Sequence, residues 1–385
     1  MMEWRLTVAA VVALISVVAL VQLAWGFLSL PSLADVPPLA VGATAPRVSI
    51  IVAARDEERH IEAAVRALAT QRYPDLEIIV VDDRSTDATP AVLARVRASE
   101  PHLQIVRIDR LPDGWLGKNH ALHVGAQRAT GALLLFADGD VIMRPDAVSR
   151  AVRLLEASRS DHLAVAPDIV AASAPLALVV NYFMMWFLLY LRPWRARDPR
   201  SSAYIGIGAF NLVRRDAYLA VAGHSRIPLR PDDDLMLGKL LKSSGWRLLL
   251  AAGDGELSVE WYHSLGELAR GFRKNAFAGM HYSLTLTLAA VASQLTVAVW
   301  PFVAIALTQG VERALYFVAA LTQMAGYAGA ASAQRTRPWL TLFYPLAAIL
   351  FVVIFVAAVS RTLIQRGIEW RGTRYPLDAL RANRV

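Results

Sequence analysis

Residues 6–30 form an apolar stretch that carries no charged side chain and is rich in Val, Ala and Leu. A helix needs about 20 such residues to cross the hydrocarbon core of a bilayer. A secretory signal peptide has a shorter apolar core and a small-residue cleavage site, and Trp25 near the end of this stretch suits a membrane interface. The stretch therefore predicts a retained transmembrane helix, and the rest of the chain must fold while attached to a membrane.

Three further uncharged runs lie at the other end of the chain, at about 280–309, 314–334 and 338–360. Pro301 falls within the first run, and a membrane helix tolerates such a kink. Most acidic residues lie between the first helix and these runs. The sequence therefore predicts one membrane helix, then a soluble domain, then a C-terminal helical bundle.

The composition supports this layout and excludes several site chemistries. Of the 385 residues, 56% are hydrophobic and 19% are charged, whereas soluble domains average about 45–50% and about 25%. The chain has no Cys, which excludes disulfides, thiolate metal sites, iron–sulfur clusters and Cys nucleophiles. A formal net charge of +8 without a base-reading motif favours a membrane surface and a phosphate-bearing substrate over nucleic acid.

A fifth uncharged run, 169–191, is also long enough to cross a membrane. A crossing there would separate the acidic motifs before and after it onto opposite faces, so we assign it to the interface as an amphipathic segment. The polar residues that follow suit a lipid headgroup region. They are Arg192, Trp194, Arg195, Arg197 and Arg200.

The C-terminal tail bears on the topology. It contains six Arg against Glu369 and Asp378, which predicts a cytoplasmic tail. Three full spans after a cytoplasmic domain would put the tail outside, so either one run is re-entrant or interfacial, or 276–311 contains a hairpin. The predicted organisation is an anchor and linker over 1–45, an α/β domain over 46–275 with an interfacial segment at 169–200, a transmembrane bundle over 276–360 and a basic tail over 361–385.

Residues 46–275 alternate strand and helix patterns, which is typical of an α/β fold with a mostly parallel sheet and flanking helices. Predicted strands cover 48–53, 76–81, 102–108 and 132–137. In such sheets the ligand binds beyond the carboxyl ends of the strands. Three of these ends carry polar clusters, namely Arg55-Asp56-Glu57, Asp82-Asp83 and Asp138-Gly139-Asp140.

The cluster Asp138-Gly139-Asp140 follows a wholly apolar strand. Two carboxylates one residue apart, with a Gly that bends the chain, can face one divalent cation. Mg²⁺ and Mn²⁺ are commonly held by one or two carboxylates together with substrate phosphates, such as those of a nucleotide diphosphate. The motif indicates a metal site at Asp138 and Asp140, and the alternative is a solvated Asp-Gly turn.

Asp82 and Asp83 end the second strand. A carboxylate there can accept hydrogen bonds from the imide N–H of a uracil or from a ribose hydroxyl. The alternative is a turn followed by a helix cap, which Ser85, Thr86 or Asp87 would supply.

Asp232-Asp233-Asp234 precedes a helix-like segment. One carboxylate at a helix N-terminus is ordinary, but three in a row repel one another. A helix cap combined with a catalytic base explains them, since neighbouring like charges or an apolar wall would raise a carboxylate pKa toward useful base strength. The alternative is an over-charged N-cap.

Basic residues at two places suit an anionic ligand. Lys118 stands at the start of a predicted helix, where N–H groups and a lysine form an anion site, although most lysines lie on the surface. Arg270, Arg273 and Lys274 stand just before the bundle and would neutralise a leaving diphosphate. The alternative for these three is positive-inside flanking of a membrane helix.

The chain resembles the membrane-bound family 2 glycosyltransferases in six ordered segments. They are VSIIVAARDEE (48–58), IIVVDDRSTDAT (78–89), GWLGKNHAL (114–122), LLLFADGD (133–140), GAFNLVRRDAY (208–218) and PDDDLMLG (231–238). The match spans nearly the whole predicted soluble domain and is most like the bacterial branch near hopanoid-associated, carotenoid and ceramide glycosyltransferases. The tail sequence WRGTRY (370–375) also looks like an element of that branch.

The resemblance implies a GT-A fold, a nucleotide-sugar donor and inversion at the anomeric carbon. It places Arg55, Glu57 and Asp83 around the nucleoside with Asp82 close by, and Lys118 at the donor phosphates or sugar. It also implies a metal, Mg²⁺ or Mn²⁺. Asp140 would hold the metal, Asp138 would approach the ribose of the nucleotide sugar or the metal, and the acid pair Asp233-Asp234 would contain the base, Asp234.

Two departures from the family pattern bear on the activity. Processive polysaccharide synthases carry Gln-x-x-Arg-Trp after the base, whereas Arg270 to Lys274 lacks the Gln and the Trp. This argues against a processive synthase. The second departure is Asp56, where many relatives have Asn, and it affects the expected nucleoside contacts.

The sequence therefore predicts an inverting, metal-dependent hexosyltransferase of the bacterial cytoplasmic membrane, with its active site facing the cytosol. The expected donor is a UDP-sugar and the expected acceptor is a hydroxyl of a membrane lipid, because a soluble acceptor would not need an enzyme buried in membrane. Two alternatives remain: a polyprenyl-phosphate sugar synthase, and a non-catalytic membrane scaffold with a degenerate nucleotide-sugar fold.

Overall fold

The computed structural model describes residues 2–40, 42–100 and 102–383. It divides into two compact units. The α/β unit comprises Leu30–Ile169 and Pro193–Glu260 with the last residues from Ala382, and the helical unit comprises Met1–Ser29, Val170–Arg192 and Trp261–Arg381. Met1 of the predicted anchor, Val41 of the predicted linker and residues 384–385 of the predicted tail lie outside the described residues.

Ten strands of the α/β unit build two sheets among the described residues. They are β1 (Val48–Ala54), β2 (Leu76–Asp83), β3 (Leu103–Ile108), β4 (Leu133–Asp138), β5 (Val141–Met143), β6 (His162–Ala166), β7 (Asp168–Ile169), β8 (Asn211–Arg214), β9 (Leu248–Ala252) and β10 (Leu257–Val259). The large sheet has the order β3-β2-β1-β4-β8-β6-β9, and the small one has the order β5-β10-β7. Only β8 runs antiparallel to its neighbours in the described large sheet, so the sheet is mostly parallel, as predicted.

Helices cover both faces of the large sheet. They are α2 (Ile61–Ala69), α3 (Thr89–Ser99), α4 (Gly117–Arg128), α5 (Ala147–Ala157), α7 (Arg215–Ala220) and α8 (Asp233–Ser243). The central strands β1, β2 and β4 are buried along almost their whole length. Strands covered on both faces read as continuous apolar runs rather than alternating ones, which is why their positions were readable from the sequence.

The helical unit contains the predicted membrane segments. Its elements are α1 (Met2–Ser29), α6 (Ala174–Leu191), α9 (Leu265–Gly279), α10 (Leu284–Ser293), α11 (Trp300–Leu307), α12 (Gly310–Ala333), α13 (Tyr344–Ile364), the hairpin of β11 (Gly367–Trp370) and β12 (Thr373–Pro376), and α14 (Leu377–Ala382). Pro301 lies in the first turn of α11, directly after a π-helical segment, Gln294–Val299. Local π-helical geometry is one way in which a membrane helix accommodates a proline.

Buried polar side chains join the helices of this unit. The amide of Gln323 on α12 donates to Ser16 Oγ on α1 at 2.9 Å and to the carbonyl of Val297 at 2.6 Å. The hydroxyl of Tyr327 donates to the carbonyl of Leu178 on α6 at 3.0 Å. Such hydrogen bonds fix the register of helices that pack in an apolar environment.

Four helical segments of the described chain are long and apolar enough to cross a membrane. They are Glu3–Ser29, Ala174–Arg195, Leu284–Leu307 and Pro338–Ile364. The second C-terminal run of the sequence analysis, 314–334, forms α12, which is long enough but richer in small and polar residues such as Ala319, Gly326 and Gln323. Small residues let helices approach closely in a membrane, and α12 packs along α1.

The interfacial segment differs in one respect from the sequence interpretation. We expected an amphipathic helix at 169–191, but α6 is buried on every side from Leu176 to Tyr182. Asn181 donates to Thr336 Oγ1 at 2.8 Å within the same unit. Trp194, which was expected among lipid headgroups, is buried, whereas the four neighbouring arginines are exposed.

A fully buried histidine in the sheet predicts a pH dependence of stability. His162 on β6 is hydrogen-bonded to Asn211 on β8, and burial lowers the pKa of His162 to about 4. Below the ordinary pKa of 6.5 the unfolded chain therefore takes up a proton that the folded chain refuses. Stability should fall by up to roughly 3 kcal/mol between pH 6.5 and pH 4 through this group alone.

Thermal unfolding of His162→Gln against pH measures this contribution, because glutamine keeps a donor for Asn211 and does not titrate. The loss of Tm on acidification should be shallower in His162→Gln than in the wild type. The exposed His102→Gln is the matched control and should follow the wild-type curve. Parallel curves for all three proteins would contradict the assignment.

Candidate active site

The carboxyl ends of β1, β2 and β4 bring the predicted acidic clusters side by side. Ala54 on β1 pairs with Asp82 on β2, and Ala53 pairs with Asp138 on β4. Because adjacent strands are about 4.8 Å apart, Asp82 and Asp138 lie about 10 Å apart across the end of β1. The sheet therefore positions both clusters at one edge, as the strand pattern predicted.

Asp82 and Asp83 are both buried, and each is held by an arginine. Arg107 Nη1 lies 3.1 Å from Asp82 Oδ2. Arg84 donates to Asp83 through Nε at 2.8 Å and through Nη2 at 3.0 Å, and Arg55 Nη1 lies 3.7 Å from Asp83. Three of the four residues predicted around the nucleoside, Arg55, Asp82 and Asp83, are therefore neighbours.

The start of α4 connects these residues to the second cluster. A Cβ atom at Gly117 would lie 2.1 Å from Asp83 Oδ2, so only glycine lets the helix start so close to that carboxylate. The next residue, Lys118, places Nζ 2.8 Å from Asp138 Oδ1 and 3.5 Å from Asp233 Oδ1. One lysine thus joins the end of β4 to the first turn of α8.

Gly208 links the same two elements through its main chain. Its N–H donates to Asp234 Oδ2 at 2.7 Å, and its carbonyl accepts from the N–H of Asp138 at 3.0 Å. A Cβ atom at Gly208 would meet Asp138 Oδ2 at 2.7 Å, and one at Gly206 would meet the carbonyl of Asp234 at 1.8 Å. Gly206 and Gly208 have no side chain, so the main chain at these two positions can lie directly against Asp138 and Asp234.

The three consecutive aspartates have different partners, which resolves their mutual repulsion. Asp232 accepts both ends of the Arg230 guanidinium at 2.8 and 2.6 Å. Asp233 faces Lys118, and Asp234 accepts from Gly208 and, at 2.9 Å, from the N–H of Leu235. Asp232 occupies the N-cap position of α8 but makes no side-chain hydrogen bond to the helix N-terminus, so helix capping does not explain this carboxylate.

Charge and burial shift two carboxylates of the cluster toward neutrality. Burial and the neighbouring Asp233 raise the pKa of Asp234 to about 7, although Lys118 opposes the shift. Burial, Asp138 and Glu57 likewise raise the pKa of Asp140 to about 7. Burial alone would lower the pKa of Lys118, but its acidic partners outweigh burial and keep its pKa above the ordinary 10.5. The lysine is therefore charged throughout the range in which these acids titrate.

Two supporting residues were not identified from the sequence. His224 is buried against Phe136, its Nε2 lies 3.8 Å from Asp233, and its Nδ1 lies 3.0 Å from the hydroxyl of Tyr218. Asn119 donates to the carbonyls of Ile227 and Arg230 and so holds the loop before the aspartates. Asn119 lies in GWLGKNHAL, one of the segments that resemble the family, so the sequence could have pointed to it. Nothing in the sequence distinguished His224.

These groups surround one small pocket. Its lining residues are Lys118, Leu122, Phe136, Ala137, Asp138, Gly208, Asn211, His224, Asp233 and Asp234. The wall is apolar on the side of Leu122 and Phe136 and charged on the side of Lys118 and the aspartates. Such a site has an acidic group of raised pKa beside an immobilised cation, which is an arrangement suited to proton transfer.

Asp138 and Asp140 fit a divalent cation by their chemistry. No group of three or more His, Asp or Glu side chains is placed to hold a metal anywhere in the described parts of the chain. Mg²⁺ and Mn²⁺ nevertheless need only one or two carboxylates when substrate phosphates complete the shell. Burial raises the pKa of Asp140, as do Asp138 and Glu57, and a bound cation would favour the charged form of this carboxylate.

Arg270, Arg273 and Lys274 lie on α9 in the helical unit. The ammonium of Lys274 sits over the ring of Trp370, 4.4 Å from its centre. Their predicted contact with the donor diphosphate therefore stays a prediction.

The sequence profile described as Glycosyl transferase family 2 matches residues 49–220, which run from the second residue of β1 to the last residue of α7. The chain carries a family 2 glycosyltransferase domain. The family and the enzyme class inferred from the sequence are thereby confirmed, and the profile includes Asp83, Lys118, Asp138 and Gly208 of the site.

Two named relatives align with this chain over different lengths. A beta-monoglucosyldiacylglycerol synthase of Synechocystis sp. is 35% identical over 124 residues, which are 31% of this chain and 26% of that enzyme. A 4,4'-diaponeurosporenoate glycosyltransferase of Staphylococcus aureus is 21% identical over 338 residues, or 86% of this chain and 88% of that enzyme. The first match thus spans about a quarter of its relative, and the second nearly all of it.

A solved structure supports the fold. The mannosyltransferase PcManGT from Pyrobaculum calidifontis, in complex with GDP-Man and Mn²⁺, superposes with a TM-score of 0.58 at 19% identity and covers 94% of this chain and 99% of that one. At this identity the likeness shows the fold alone. The predicted α/β fold with a mostly parallel sheet and added apolar helices is confirmed.

The close approach of Gly206 to α8 gives a direct test of the site's construction. Gly206→Ala must displace either the segment or the backbone of Asp234, and such overpacking costs about 1–3 kcal/mol. We expect a lowered Tm and a loss of sugar transfer. Gly279→Ala at the end of α9 is the matched control, since nothing lies within 4 Å of its added Cβ, and it should lose neither. Unchanged stability and transfer in Gly206→Ala would refute the packing described.

Proposed function

We propose that this protein transfers a hexose from a nucleotide-diphosphate sugar to a hydroxyl of a membrane lipid, with inversion at the anomeric carbon. The observation that carries the proposal is the ion pair of Lys118 with both Asp138 and Asp233, because it brings the donor-side carboxylates and the base candidate into one pocket. The names of two relatives, which mention a diacylglycerol and a diaponeurosporenoate, support an apolar acceptor.

On the donor side, we assign the nucleoside to Arg55, Glu57, Asp82 and Asp83. The oxygens of Asp83 suit the imide N–H of a uracil, so a UDP-sugar is the proposed donor. Asp138 and Asp140 would hold Mg²⁺ or Mn²⁺, which would offset negative charge on the departing diphosphate. The Mn²⁺ and GDP-Man of the mannosyltransferase structure support the cation and leave the nucleotide base to experiment.

On the acceptor side, Asp234 is the proposed base. One of its oxygens is fixed by the N–H of Gly208, and its raised pKa suits removal of a proton from a hydroxyl. The acceptor oxygen forms a bond to the anomeric carbon as its proton passes to Asp234. The bond from that carbon to the diphosphate breaks on the opposite face, and the nucleoside diphosphate leaves with the bonding electrons. Lys118 stays protonated, and its positive charge stabilises the aspartates while Asp234 gains the proton.

The four apolar helical segments support attachment to a membrane. We place the enzyme in a bacterial cytoplasmic membrane with the site facing the cytosol, where nucleotide sugars are made. The six arginines of the tail over 361–385 favour the same orientation.

The decisive experiment incubates membranes that contain the protein with a panel of labelled nucleotide sugars, followed by lipid extraction and mass spectrometry. We expect label in a lipid fraction from one donor, and loss of the signal with EDTA followed by recovery with Mg²⁺ or Mn²⁺. Membranes without the protein are the control. Binding of a nucleotide sugar with no transfer or hydrolysis for any donor would instead support a scaffold.

Asp234→Asn tests the base. The amide keeps the shape of the side chain but accepts no proton, so the rate of transfer should fall by about 10²–10⁴-fold while donor affinity is kept. The exposed Asp216→Asn at the start of α7 is the matched control and should retain full activity. Full turnover with a polyprenyl phosphate in Asp234→Asn would favour the phosphate-acceptor alternative, because that acceptor needs no strong base.

The pH profile gives an independent test of the same group. Since the pKa of Asp234 is raised to about 7, the base is protonated below that pH, and kcat/KM should fall about tenfold per pH unit there. Donor binding measured at each pH separates this effect from protonation of Asp140. A rate that stays constant from pH 8 to pH 5 would remove Asp234 from the role of base.

A further inference from the structure

The helical unit contains a second cavity, of about 270 Å³, lined by arginines. Arg270 and Arg273 come from α9, Arg361 from the last turn of α13, and Arg371 from the turn of the β11–β12 hairpin. These side chains are distant in sequence and come from three different elements. Their convergence on one cavity is therefore a product of the fold and not of a local charge run.

The charge of this cavity suits an anion with several oxygen atoms. Four arginines line it against one acidic residue, Glu369. A guanidinium stays protonated at any physiological pH and offers a planar fork of donors that matches phosphate oxygens. One carboxylate has too few oxygens to engage several such forks, whereas a phosphoryl group presents oxygens in several directions.

The cavity is also held together by contacts around its wall. Thr362 on α13 donates to the carbonyl of Arg273 on α9 at 3.3 Å. The cation–π contact of Lys274 with Trp370 joins α9 to the hairpin. The hairpin turn consists of Arg371 and Gly372, both with positive φ, which is the geometry of a tight two-residue turn. These contacts fix the elements that carry the arginines before a ligand arrives.

The cavity lies at the end of a candidate membrane span. The apolar segment Pro338–Ile364 ends in the turn that carries Arg361, and the hairpin follows at once. Basic residues at the end of a membrane span face the phosphates of the bilayer surface. A soluble anion would need no such placement.

We propose that this cavity binds a phosphoryl group, and that the group belongs to the headgroup of an anionic membrane phospholipid. The bound lipid would then tie α9, α13 and the hairpin together through one ligand. The proposal concerns lipid binding and does not depend on the sugar-transfer reaction.

The test uses the purified full-length protein in mixed micelles containing phosphatidylglycerol or phosphatidylcholine. Lipid retained by the protein is counted by native mass spectrometry, and Tm is measured in each lipid. The wild type should retain phosphatidylglycerol selectively and gain thermal stability from it. Arg361→Gln and Arg371→Gln should each weaken retention about fivefold, since each removes one of the four guanidinium groups that line the cavity and face the headgroup.

Two further variants separate a bound headgroup from general charge. Glu369→Gln removes the opposing carboxylate and should strengthen retention, which loss of structure cannot do. Arg366→Gln makes the same charge change beside α13 but does not line the cavity, so it should behave as the wild type. Equal loss in Arg366→Gln, or no preference for phosphatidylglycerol in the wild type, would overturn the proposal.

A competition arm distinguishes the source of the phosphoryl group. Inorganic phosphate or UDP at millimolar concentration should leave phosphatidylglycerol bound, because these anions lack the acyl chains that add affinity at the membrane. Displacement of the lipid by either anion, abolished in Arg361→Gln, would assign the cavity to a free phosphate and contradict the headgroup.

Discussion

The site is organised around one buried cation. Lys118 lies between Asp138 at the end of β4 and Asp233 at the start of α8, and Asp234 also acts on its charge. Without this ammonium, the carboxylates of Asp138, Asp233 and Asp234 would repel one another, and the start of α8 would lose its ion pair to the α4 helix that also contacts β4. Burial and Asp233 raise the pKa of Asp234 to about 7 and Lys118 opposes the rise, so the same ion pairs shape both the fold and the reactivity.

The sequence revealed the parts of the site that follow regular rules. Continuous apolar runs located β1, β2 and β4, and the polar residues that end or follow them marked the ligand edge of the sheet. The roles within Asp232–Asp234 were not separable, because their partners Arg230, Lys118 and Gly208 are set by tertiary contacts that no local pattern encodes. His224 was missed for the same reason, since a single buried histidine carries no periodic signal.

The membrane layout was harder to derive because hydropathy does not distinguish a span from a buried helix. Helix α6 has the length and composition of a span, yet Lys118 binds Asp138 before it and Asp233 after it. The segments before and after α6 therefore fold into one compact unit, and the interfacial assignment of 169–191 stays a prediction. Burial of Leu176 to Tyr182 among protein atoms explains why this helix is as apolar as one facing lipid.

The main-chain hydrogen bonds of Gly208 limit which substitutions the site can accept. The N–H of Gly208 donates to the carboxylate of Asp234 and its carbonyl accepts from the main-chain N–H of Asp138, so one peptide segment ties the end of β4 to Asp234. Any substitution that moves this segment would therefore also change the spacing between the end of β4 and the carboxylate of Asp234.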